Sequence, residues 1–258
     1  MEEEEAEEEE PQCPVCWEPV GTTTALPCRC RVNYCGGCWD RSLAQSFNAC
    51  GQARCPTCRT PVRVDFDADV GRLLFSQEEE TAPEEELCPM PRQQLYHERA
   101  RAARERITQQ ARPAQVRILR TYGVANPELF AAVESEGAED RRSELIERLE
   151  RAAAAPPRCV CGGLLERLSS AERVRRVLGR HWPDVARGTQ RFEETVAQAV
   201  ERRLSLCSCD LCGESLVPPD YVWTCENGNQ TILHANAYDI CEECLFRYAS
   251  GEPDVPMG

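Results

Sequence analysis

The chain has 258 residues, of which 41% are apolar, 29% charged and only 6% aromatic. That balance argues against one large core and for small, stapled modules. The formal net charge of −14 sits mostly at one end: residues 1–87 hold 19 acidic and 7 basic side chains, residues 88–258 hold 25 and 23. No run of about 18 apolar residues is present to span a membrane, and the opening MEEEEAEEEE is no secretory signal. Residues 1–12 are expected to form an acidic disordered tail, because like charges repel and nothing there can be buried.

The 18 cysteines admit two readings, disulfides or metal. Their C-x-C and C-x2-C spacing, together with the missing signal segment, favours metal in a reducing compartment, cytoplasmic or nuclear. In residues 13–59 four pairs follow one another: Cys13 and Cys16, Cys28 and Cys30, Cys35 and Cys38, Cys55 and Cys58. Two intervening residues let both sulfurs of a pair reach one ion at about 2.3 Å, so eight thiolates suffice for two closed tetrahedral zinc sites.

This pattern resembles the RING finger family. The resemblance implies an α+β cross-brace module over residues 13–65. Cys13, Cys16, Cys35 and Cys38 would hold one ion, and Cys28, Cys30, Cys55 and Cys58 the other. It further implies docking of a ubiquitin-conjugating enzyme by Val15, Pro56 and the helix carrying Trp39 and Leu43. Arg59 would be the cationic linchpin bridging that enzyme and its ubiquitin. Cysteines stand at Cys30 and Cys35, where the family often has histidine. The PCRC form also resembles the membrane-associated RING variant, which expects histidine at position 35; a PHD finger would want histidine there too, and a tryptophan just before the last pair, where Ala53 and Arg54 stand. Cys50 is read as a free thiol.

Residues 66–91 read as an acidic, proline-bearing linker with an unliganded Cys88. Residues 92–206 read as a mainly helical region. An arginine-rich helix there breaks at Pro113, its continuation ends at Gly123, and Asn126 caps a start at Pro127. Further helices are expected over roughly 139–155, from the capping box Ser169-x-x-Glu172 to His181, and over roughly 190–204. The arginine-rich stretch lacks the interleaved aromatics of a nucleic-acid surface, so no nucleic-acid partner is expected.

Residues 207–248 form a second cysteine-rich module, followed by a tail over 249–258. Cys209, Cys212, Cys241 and Cys244 give two C-x2-C pairs, the number one more zinc ion needs. The segments CDLC, YVWTC and AYDICEEC resemble the ZZ-type zinc finger, whose second site is incomplete here. Cys159, Cys161, Cys207, Cys225 and His234 are the remaining donors from which a divergent site could be built.

The expected fold class is therefore zinc-stabilised α+β modules joined by a mainly helical middle. The expected function is that of a RING-type ubiquitin-protein ligase with no catalytic nucleophile, acting on a recruited protein substrate. The alternative is a zinc-held adaptor without transfer activity. A hybrid ligase using Cys225 as an acceptor lacks the cysteine-rich domain that such enzymes place in between. All 30 basic residues besides histidine are arginine. With no lysine present, a ligase of this composition is expected to escape modification on its own side-chain amines, leaving Met1 as the one conventional amine.

Overall fold

The computed structural model describes residues 11–21, 27–78, 92–130, 138–151, 155–182, 188–205, 207–217, 221–228, 230–234 and 237–251. Expectations for residues 1–10, for Cys88 and for the tail beyond 251 lie outside these. The chain forms two compact units: Met1–Gln110 with Gly228–Ala235, and Ala111–Asn227 with Asn236–Gly258.

The first unit contains helix α1 (Gly36–Cys50) and the antiparallel hairpin of β1 (Val62–Asp67) and β2 (Arg72–Gln77), paired from Val62–Gln77 to Asp67–Arg72. The hairpin takes up the start of the expected linker, whose residues 79–91 lie outside the described ones. VRVDFD alternates buried Val62, Val64 and Phe66 with less buried residues, the period of a half-buried strand. Asp67 Oδ1 closes the turn by accepting from the backbone of Asp69 and Val70, and Gly71 supplies the left-handed residue at φ 75°. Helix α1 buries Trp39, Leu43, Ala44 and Phe47 and ends at Gly51, φ 69°. Trp39 stacks on Tyr34 at 5.6 Å and meets Phe75 edge-on at 5.8 Å.

Helix α2 (Arg92–Ala125) contributes its first part to this unit. There Gln110 accepts from Phe66 N and donates to Asp65, while Arg106 pairs with Asp65 at 3.2 Å. Segment 228–235 also belongs here: Ile232 N donates to Asp40, Arg41 donates to Gln230, and Thr108 donates to the Leu233 carbonyl.

Neither expected break in α2 occurs. Pro113 lies inside the helix and costs it one hydrogen bond. However, Ala100, Ile107, Ala111, Ala114, Gln115 and Leu119 form an unbroken buried stripe at helical spacing across that position. Gly123 does not stop the helix either. A Cβ there would lie 1.8 Å from the Ala249 carbonyl oxygen, so glycine is required for close packing on α7 (Glu242–Ala249). Gly123→Ala is expected to cost more than the about 1–3 kcal/mol of ordinary overpacking. An unchanged urea midpoint for this variant would refute the close approach.

The second unit continues with α3 (Pro127–Phe130), α4 (Ala138–Arg151), β3 (Glu166–Ser169), α5 (Ser170–His181) and α6 (Gln190–Glu201). Then follow β4 (Cys207–Ser208), β5 (Ser215–Leu216), β6 (Tyr221–Cys225), β7 (Tyr238–Cys241) and α7. Its main sheet has the order β3-β6-β7, all antiparallel. Strand β3 thus comes from the region read as mainly helical, where its four residues are too few to show a period. Ser169 caps α5 by accepting from Glu172 N at 3.2 Å, as its capping box predicts. Leu165, Leu168, Val222, Trp223, Ile240 and Leu245 lie in one apolar cluster with Val116 and Leu119 of α2, and α5 packs on α6 through Val174, Phe192, Val196 and Ala199.

Candidate metal centres

Three turns share one construction. The first cysteine of a C-x2-C pair both donates and accepts backbone hydrogen bonds across the loop, and the residue after the second cysteine takes positive φ. Cys13 N donates to Glu18 O and Trp17 N to Cys13 O, with Trp17 at φ 62°. Cys55 N donates to Thr60 O and Arg59 N to Cys55 O, with Arg59 also at φ 62°. Cys209 N donates to Glu214 O and Gly213 N to Cys209 O, with Gly213 at φ 80°. Such a knuckle turns both sulfurs of a pair toward one point.

A second construction uses helix starts. Cys35 is the N-cap of α1 and its sulfur accepts from Cys38 N at 3.5 Å; Cys241 is the N-cap of α7 and accepts from Cys244 N at 3.3 Å. The positive end of the helix dipole favours thiolate there.

These parts converge into sets of four. Cys13, Cys16, Cys35 and Cys38 have all their sulfurs within 4.8 Å of one another, as do Cys28, Cys30, Cys55 and Cys58. The pairs therefore combine first with third and second with fourth. In the second unit Cys209, Cys212, Cys241 and Cys244 form another such set. Cys16 and Cys35 lie 3.7 Å apart, and Cys212 and Cys241 3.9 Å. The edge of a zinc–thiolate tetrahedron is roughly 3.8 Å, so these sets fit the metal.

Their electrostatics call for a cation. Burial pushes the Cys13 thiol up, but the backbone N–H groups of Cys35, Cys16 and Val15 outweigh it and lower it to about 6. The Thr60 hydroxyl and backbone lower Cys58 to about 6. Burial and then the neighbouring thiols push Cys38 up to about 12, and hydrogen bonding to Cys58, with burial, pushes Cys30 to about 12. Cys209 is lowered to about 2 by Cys241 and Cys244, whose own thiols are pushed up. One thiolate in such a set raises the cost of the next, and a divalent ion removes that conflict as protons leave.

Comparison with known protein families, curated proteins and solved structures gave no match. The sets themselves identify cysteine-rich clusters able to bind zinc, consistent with zinc-finger modules.

The other expected site residues divide into two kinds. Val15 is 54% exposed, Arg59 is exposed and Pro56 half-buried, all on knuckles. Trp39 and Leu43 are instead fully buried, so the helix face expected to dock a partner carries the module's core. Trp17, not among the site residues expected from sequence, is 74% exposed beside Cys16. Its signal was a large aromatic directly after a ligand pair, a position the knuckle turns outward. Cys50 stays outside the sets and donates to the Ser46 and Gln52 carbonyls.

In the second unit the metal set adjoins a buried polar network. Asp239 accepts from Arg173 Nη2 at 2.7 Å and Nε at 3.0 Å and from the Thr224 hydroxyl, while its own backbone N donates to Asp210. Burial pushes the Asp210 carboxyl up to about 7. Cys207 lies in the field of Asp239 and Arg173, and burial raises its thiol to about 11. His234 is buried within segment 228–235 of the first unit. Among the described residues no helix is long and apolar enough to cross a membrane.

Proposed function

We propose that residues 13–59 are a RING-type module and that the chain is a ubiquitin-protein ligase for a recruited protein substrate. The observation that supports this reading is the interleaving of the thiol pairs. It would make a cross-brace that ties successive loops together, with Val15 and Trp17 exposed on one knuckle and a half-buried Pro56 beside an exposed Arg59 on another. Val15, Trp17 and Pro56 would offer apolar contact to a ubiquitin-conjugating enzyme. Arg59, always charged and forked, would hold the attached ubiquitin in an attack-ready pose. The rate gain would come from orientation. Zinc held by four thiolates has no open position, so its contribution would be structural.

The adaptor reading has one observation in its favour: Trp39 and Leu43 are withdrawn into the core, which removes two apolar side chains from the prospective docking surface. Discharge of ubiquitin from charged conjugating enzymes separates the two. The zinc-loaded chain is expected to accelerate discharge, and Val15→Arg and Arg59→Ala to slow it at least about tenfold (about 1.4 kcal/mol) at unchanged zinc content. No acceleration with any enzyme of a broad panel would leave the adaptor.

A further inference from the structure

Cys159, Cys161 and Cys225 all belong to the second unit and lie outside every four-thiol set described above. Their sulfurs are within 4.8 Å of one another, and those of Cys161 and Cys225 are 3.6 Å apart. That is close to the edge of a zinc–thiolate tetrahedron, roughly 3.8 Å, and far beyond an S–S bond of about 2.05 Å.

Two buried cysteines, Cys159 and Cys225, beside a partly buried Cys161 can also be ordinary small apolar residues. The backbone around them speaks for a ligand. Residues 158–164 repeat the metal-set knuckle in a form one residue shorter. Cys159 N donates to Gly163 O at 2.8 Å, Gly162 N donates to Cys159 O at 2.8 Å, and Gly162 has φ 86°. At Gly163 a Cβ would come within 2.8 Å of the Cys225 sulfur, so the absent side chain lets the turn pass directly beside that atom. The turn is fixed from behind by Gln115, fully buried, whose amide donates to Arg158 O at 3.0 Å and accepts from Val160 N at 2.6 Å. A buried glutamine satisfied at both ends holds the loop in a single position.

We propose that Cys159, Cys161 and Cys225 bind a zinc ion of their own through three thiolates and one lighter donor atom. No fourth sulfur is at hand in this unit: Cys209, Cys212, Cys241 and Cys244 form their own set, and Cys207 sits by Asp239 and Arg173. The ion fastens the 158–164 turn, which leads into β3, to the last residue of β6, the strand that β3 pairs with. It thereby closes one end of the sheet, independently of any ligase activity.

The test uses the full chain, with zinc content measured by elemental analysis and the sites probed by cobalt(II) substitution. Wild type is expected to hold one more ion per chain than Cys161→Ser, and Cys50→Ser to match wild type. The cobalt spectrum of wild type should contain a three-sulfur component that Cys161→Ser lacks, while the four-sulfur bands persist. Should Cys161→Ser fail to fold, Cys161→His, which keeps a donor in place, is expected to retain the ion and shift part of the ligand-field absorption to higher energy. Equal zinc content in wild type and folded Cys161→Ser, or an unshifted spectrum for Cys161→His, overturns the proposal.

Discussion

Removing zinc from the protein with a strong chelator at neutral pH is expected to unfold residues 13–67 cooperatively. Helix α1 begins at a ligand, with Cys35 as its N-cap and Cys38 in its first turn. The turn carrying Cys55 and Cys58 leads directly into β1. Loss of the ions would take away the fixed points of both elements. What remains is a small core around Trp39, Leu43, Phe47, Val62, Val64 and Phe66. Structural zinc contributes about 10–16 kcal/mol to small zinc-finger folds at pH 7, comparable with the about 5–15 kcal/mol net stability of a whole domain. Near-ultraviolet circular dichroism from Trp39 and amide dispersion of α1 should collapse together and return on adding zinc. Retention of both after verified metal removal would mean that apolar packing alone holds the module.

The second large effect belongs to the buried Arg173–Asp239 pair. Both side chains are 6% exposed, and Asp239 also accepts from Thr224. Arg173→Ala would leave the Asp239 carboxylate without its cation in a buried place. Breaking such a pair costs about 3–5 kcal/mol, whereas replacing both members by apolar residues of similar volume can be neutral. Arg173→Ala is thus expected to lower the unfolding free energy of the second unit by about 3–5 kcal/mol in urea titration, and Arg173→Met with Asp239→Leu to recover much of the loss. A change below about 1 kcal/mol for the single variant, the range of solvent-screened surface pairs, would contradict this role. The surrounding pairs of Arg176 with Glu166 and of Arg175 with Glu172 and Glu193 are more exposed and contribute less.

What the sequence revealed, and what it hid, follows from how local each signal is. Cysteine spacing is local and chemically specific, and each C-x2-C pair expected at a metal falls into a thiol set. Capping is also local: Ser169 caps α5 as its capping box predicts, and α6 begins at Gln190, the expected start, with Thr189 as its cap. Pro113 and Gly123 misled because tertiary contacts decide them: a continuous buried stripe carries the helix past the proline, and contact with Ala249 explains the glycine. The β1–β2 hairpin was hidden by the acidic residues that follow it, although VRVDF alternates as a strand should. The family resemblance implies a docking helix at Trp39 and Leu43, but aromatic contacts with Tyr34 and Phe75 draw Trp39 inward. Strand β3 could not be seen without its partner β6, since four residues carry no pattern of their own.

The N-terminal thiols fall into two sets that alternate along the chain, each able to hold a zinc ion. Substituting cadmium-113 and correlating each metal resonance with the cysteine β-protons reads that connectivity directly. One resonance is expected to couple to Cys13, Cys16, Cys35 and Cys38, and a second to Cys28, Cys30, Cys55 and Cys58. Coupling of one ion to Cys13, Cys16, Cys28 and Cys30 and of the other to Cys35, Cys38, Cys55 and Cys58 would contradict the arrangement and remove the basis of the proposed ligase surface.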